Sequence, residues 1–124
     1  MKSIIRELFK ATAAATDTLS AEFNPQRLVD EIGALQVLVN QDPDPGGGGG
    51  SLGKVAIEGK IHKAATFTEI TNIPLDAFAG GSGSGLTKVV TDVEVLPYMR
   101  AAMREDGGGF SVTGGTTIST WFME

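Results

Sequence analysis

"IIRELFKATAAATDTLSAEF", residues 4–23, is the stretch on which the reading of the fold turns. Ile4, Ile5, Leu8, Phe9, Thr12, Ala15, Thr16, Leu19 and Phe23 share one arc of a helical wheel. Lys2, Arg6 and Lys10, four residues apart, project from the other side. The spacing predicts an amphipathic helix with a basic stripe. Asn24-Pro25 reads as a cap followed by a first-turn proline, opening a second helix with Leu28, Val29 and Ile32 inward and Arg27, Asp30 and Glu31 outward. After Gly33, "ALQVLVN" (34–40) can continue that helix or become a strand, since a short apolar run suits both; we read it as helix. Asp42-Pro43-Asp44-Pro45 ends it, because each proline pushes its predecessor out of the helical region.

Downstream the period changes to two. Lys54 to Lys63 sets Val55, Ile57, Gly59 and Ile61 against Ala56, Glu58, Lys60 and His62, the alternation of a half-buried strand. Thr66 to Ile73 reads as its partner, Leu75 to Ala79 as a connector, and the valine-rich Thr87 to Leu96 as another strand. Pro97 opens a short predicted helix through Asp106. Phe110 to Thr113 and Thr116 to Phe122 form a predicted hairpin around Gly114-Gly115. The expected class is therefore α+β: an N-terminal helical segment (1–41), a Gly/Pro linker (42–53) and a mostly antiparallel β-rich domain (54–124), the whole within the size of a single domain.

Gly48-Gly49-Gly50-Ser51-Leu52-Gly53-Lys54 matches the spacing of a phosphate-binding loop. Such a loop follows a buried strand, opens a helix and places a hydroxyl after the lysine to hold magnesium. Here Asp-Pro-Asp-Pro precedes, Val55 follows the lysine, and a strand follows the glycines. Five consecutive glycines satisfy any glycine pattern, so the segment reads as a linker. Gly80 to Gly85 lacks the dinucleotide-binding spacing and reads as a loop.

Reactive side chains are few. The chain has no cysteine and one histidine, His62, with no Ser/His/Asp pattern around it. Asp92 and Glu94 share a predicted strand face, where carboxylate pairs can hold Ca²⁺ or move protons, but Lys60 or Lys88 on a neighbouring strand would neutralise them. No catalytic, cofactor-binding or metal-binding residue is assigned. A net charge of −5 over 124 residues argues against direct nucleic-acid binding, and no apolar run is long enough to span a membrane. A cytoplasmic protein, or a component of a virion, is expected.

Fourteen of the 17 glycines lie in four clusters, which lengthens the chain without adding interior. A thin core favours association with copies of itself or with a larger assembly. The first ten residues carry Lys2, Arg6 and Lys10 against Glu7, a net of +2, so with −5 overall the remainder carries −7. That asymmetry suits docking of the N-terminal segment on an acidic surface. Trp121 and Phe122, close to the last residue, either close the core or anchor a neighbour. Lys2, Arg6, Lys10, Trp121 and Phe122 are accordingly the candidate partner-binding residues. The composition suits a non-enzymatic structural or assembly subunit, such as an accessory or decoration protein of a bacteriophage particle. The alternatives are a small acidic inhibitor of a nucleic-acid-binding enzyme, and a small enzyme or ligand-binding protein with a site near the glycine-rich loops.

Overall fold

Residues 32–39 alternate strictly, with Leu35, Val37 and Val39 buried and Ile32, Gln36 and Leu38 exposed. In the computed structural model, which describes residues 4–12, 18–25, 32–45, 51–80 and 86–124, they form a strand. Seven strands follow in order: β1 (Ile5–Thr12), β2 (Ile32–Val39), β3 (Lys54–Lys60), β4 (Thr68–Pro74), β5 (Thr87–Glu94), β6 (Tyr98–Arg104) and β7 (Thr117–Met123). Between β4 and β5 lies one 3-10 turn, Leu75–Phe78. One sheet has the order β1-β7-β2-β5 and the other β4-β3-β6, and every pairing is antiparallel. The free edge of β6 is extended by residues 18–23, through Ser20 N–H to Ala101 O (2.9 Å) and reciprocal bonds between Phe23 and Met99.

The two inner faces meet in one core. Leu35, Val37, Val39, Ile118 and Phe122 from the first sheet pack with Val55, Ile57, Met99, Ala101 and Met103 from the second. Leu75 and Phe78 of the 3-10 turn close one end of that core. This is a two-layer antiparallel sandwich, in which each sheet hides one apolar face against the other.

The expected α+β class, with its N-terminal helical segment, is thus corrected to an all-β architecture among the described residues. The physical reason lies in β1. The register runs Arg6 opposite Phe122 and Glu7 opposite Trp121, then skips to Phe9 opposite Thr120, so Leu8 is an extra, bulged residue. Arg6 turns inward before the bulge and Phe9 and Ala11 after it, while Ile5, Glu7 and Lys10 face out. A strand with one bulge repeats its inward positions at mixed two- and three-residue intervals, which imitates a helical period. Residues 13–17 of that expected helix, and 26–31 of the second, lie outside the described residues.

Three further expectations change. Residues 34–39 of the 34–40 run belong to β2, which pairs with β7 and β5 and buries Leu35, Val37 and Val39 in the core. The short helix expected after Pro97 is β6, pairing with β3 from Lys54–Arg104 to Lys60–Tyr98; β-sheet partners on both sides outweigh the helical preference of its Met, Ala and Arg residues. The C-terminal hairpin does not form. Residues 110–113 are not a strand, and β7 inserts instead between β1 and β2.

Candidate functional site

The outer faces of the two sheets differ in kind. On the three-stranded sheet, Glu58 lies opposite Arg100, and Arg104 reaches it across the small Ala56–Ala102 pair. Arg100 Nε donates to Glu58 Oε1 (2.9 Å), while Arg104 donates through Nε to Oε2 (2.9 Å) and through Nη2 to Oε1 (3.0 Å). Lys54 pairs with Glu69 at 2.8 Å. Lys60 donates to Lys63 O (2.8 Å), lies 3.8 Å from Glu22, and sits 4.4 Å from the centre of the Phe67 ring, which also carries the Arg100 guanidinium at 4.1 Å. A cleft of about 470 Å³ lined by Lys54, Glu58, Glu69, Arg104 and Glu105 opens beside this lattice. Its central charges are already committed to one another.

Burial alone would push the Glu58 carboxyl up, but the Arg104 and Arg100 guanidiniums bonded to it hold it below the usual glutamate range. A carboxylate with a depressed folded pKa stabilises the fold above its unfolded pKa, near 4.3, and that contribution is lost as pH falls through the lower folded value. Glu58→Gln is expected to destabilise by about 2–3 kcal/mol at pH 7, since it leaves two partly buried cations without their anion. Urea titrations at pH 7 and at about pH 3 check it: the gap between parent and variant narrows at the acid end if the carboxylate carries the effect. A gap that is the same at both would refute it.

The outer face of the four-stranded sheet has no such lattice. Its register sets out three rows: Ile5–Met123–Ala34, Glu7–Trp121–Gln36–Val89, and Lys10–Ser119–Leu38–Thr87. Ile5 is 69% exposed, Val89 54%, Met123 41% and Leu38 38%, around a half-buried Trp121. A hollow of about 150 Å³ is lined by Ile5, Ala34, Gln36, Val89, Trp121 and Met123. A second, about 270 Å³, lies between Lys10, Leu38, Asn40, Thr117 and Ser119. A sheet face turned to water normally carries polar residues at its outward positions; of the eleven in these rows, six are apolar (Ile5, Met123, Ala34, Trp121, Val89 and Leu38). Scattered exposed apolar residues are ordinary, whereas neighbours in register form a patch.

The expected partner-binding residues divide between the two faces of this sheet. Trp121 and Lys10 lie on the outer face. Phe122 and Arg6, opposite each other, turn inward: Phe122 is fully buried, and Arg6 Nη2 donates to the buried Glu124 Oε1 (3.1 Å) while its guanidinium stands 5.2 Å from the Phe23 ring centre. Lys2 lies outside the described residues. In an unbulged strand Arg6 and Lys10 would share a face; the bulge at Leu8 separates them. Ile5, Ala34, Gln36, Leu38, Val89 and Met123 join Trp121 on the patch without having been singled out in the sequence. Pairing β1 and β2 to β7 is what assembles them, and the only local signal was the apolar run 34–40.

His62 is exposed and its Nδ1 accepts from Ala64 N–H (3.1 Å) within a turn. Asp92 and Glu94 are exposed; Asp92 adopts φ +58° at a bulge of β5, Ile32 opposes Glu94, and Lys60 lies on the other sheet. Lys54, the lysine of the glycine-rich motif, opens β3 in its pair with Glu69. Among the described residues no three His, Asp or Glu side chains gather to hold a metal ion, and no helix is long and apolar enough to cross a membrane. Compared with protein-family models, curated proteins and solved structures, the chain matches none.

Proposed function

We propose that the protein is a non-enzymatic assembly subunit that acts through protein–protein contact, with the outer face of the β1-β7-β2-β5 sheet as its contact surface. The observation that supports this reading is the in-register apolar patch of Ile5, Trp121, Met123, Val89 and Leu38. Trp and Met are enriched at the centres of interfaces, and Trp121 occupies the middle row here. The charged lattice on the opposite face favours the same choice, since its ions are turned toward one another rather than outward. An accessory or decoration component of a larger particle is the form of subunit that the composition suits.

A photo-crosslinking residue at Gln36 or Val89, both exposed on the patch, tests this in the cells that make the protein. The expected result is a covalent adduct of discrete mass, identified by mass spectrometry, at these two positions and not at the exposed Ala65 or Thr66 on another part of the surface. A chain that stays at its own mass from all four positions would overturn the reading.

A further inference from the structure

Resting on that contact surface, we infer that its occupant is a second copy of this chain, docked face to face about a two-fold axis perpendicular to the strands. The axis passes midway between the Glu7–Trp121–Gln36 row and the Lys10–Ser119–Leu38 row. A two-fold interface must be self-complementary: whatever residue i meets in its partner must meet i in return. These two rows satisfy that in three columns at once.

In the β1 column, Glu7 of one copy meets the partner's Lys10, and Lys10 meets the partner's Glu7. Both are exposed, and neither is in an ion pair among the described residues. In the β7 column, Trp121 lies over the partner's Ser119, whose side of the sheet holds the 270 Å³ hollow. In the β2 column, Leu38 lies over the partner's Gln36, at the 150 Å³ hollow between Ala34, Trp121 and Val89. Each copy thus offers two apolar side chains, the exposed Leu38 and the half-buried Trp121, and two recesses, and the rotation brings each side chain over a recess. The reverse choice, an axis along the strands, would set Glu7 against the partner's Val89 and leave both charges without a partner.

The area agrees with a reversible dimer. Four strands about 4.8 Å apart, three of eight residues and β7 of seven, each residue rising about 3.3 Å, present about 500 Å² per copy, or about 1,000 Å² for the pair. That is at the lower limit for a specific interface, the size class of weak, reversible contacts.

Sedimentation equilibrium of the purified full chain from about 1 to about 500 μM is the test. A monomer–dimer equilibrium is expected. Leu38→Glu and, separately, Val89→Glu are expected to weaken it at least tenfold, with near-ultraviolet circular dichroism confirming that each remains folded. Glu7→Lys and Lys10→Glu are each expected to weaken it, and the double exchange to restore it to within about threefold of the parent, because the exchanged charges face each other again. A monomer at every concentration would overturn the inference; so would a dimer indifferent to Leu38→Glu and Val89→Glu, or a double exchange no better than the single ones. If the chain is monomeric yet Gln36 crosslinks to a different protein, this inference fails and the contact surface stands. If neither occurs, both fail.

Discussion

Phe122→Ala is expected to cost about 3–5 kcal/mol of folding stability, the range for removing a buried aromatic ring. The ring is fully buried in the inner row of β7, opposite Arg6 on one side and Leu35 on the other, and its centre lies 5.7 Å from that of Phe23. It also fixes the identity of residue 33. A Cβ on Gly33 would come 2.5 Å from Phe122 Cζ and 2.6 Å from Met123 O, so the ring and the bare backbone of β2 fit each other. A domain of ordinary stability, about 5–15 kcal/mol, would lose about a fifth of it or more. Urea denaturation checks the value. A midpoint shift equivalent to less than about 1 kcal/mol would mean that the ring is not in the core. Leu38→Ala, on the opposite face of the same sheet, serves as the control and is expected to change stability by less than about 1 kcal/mol.

The second large effect is expected at Gly53, immediately before β3. Its φ is +102°, beyond the left-handed region that other residues can enter at modest cost. The Phe110 ring lies against it: an added Cβ would come 2.2 Å from Phe110 Cδ2 and 3.0 Å from Arg104 O. The position cannot shift freely, because Gly53 O accepts from Leu75 N–H (2.8 Å) and the neighbouring buried Leu52 donates its N–H to Asp76 Oδ1 (3.1 Å). Gly53→Ala therefore combines backbone strain, about 1–3 kcal/mol, with a displaced ring, about 1–3 kcal/mol more. The two causes separate in a double-mutant cycle. In a Phe110→Ala background the clash with the ring disappears while the backbone strain and the close approach to Arg104 O remain, so Gly53→Ala is expected to cost less there but not nothing. An equal cost in both backgrounds would show that the ring plays no part.

Gly53 and Gly33 also show how the sequence is to be read. Fourteen glycines cluster in runs, and three, Gly33, Gly53 and Gly59, stand apart. At each of these three an added Cβ would come within 3.0 Å of a neighbouring atom, an aromatic ring or a leucine and isoleucine side chain. A glycine standing alone in or beside a strand was thus a signal of close packing. The strands β3, β4 and β5 were legible because β3 alternates, β4 is rich in Thr and Ile, and β5 is rich in valine. β1 was not, since a bulge disguises its period, and β6 was not, since its Met-Arg-Ala-Ala-Met-Arg sequence favours a helix in isolation. Of the outer sheet face proposed as the contact surface, Trp121 and Lys10 could be named from the sequence, but the face itself was not legible. It exists only where strands distant in sequence lie side by side, and no local period encodes that.

The place of β7 between β1 and β2 has a consequence for synthesis. Both early strands lack their shared neighbour until Thr117–Met123 has been translated and has left the ribosome. At about 5–20 residues per second, β1 waits several seconds or longer with Leu8 and Phe9 uncovered. The β3–β4 pair, joined by only seven residues, needs no such delay and can fold while the chain is still growing. Maturation is then ordered in time: a β3–β4 hairpin first, and later a zipper in which β7 joins β1 to β2.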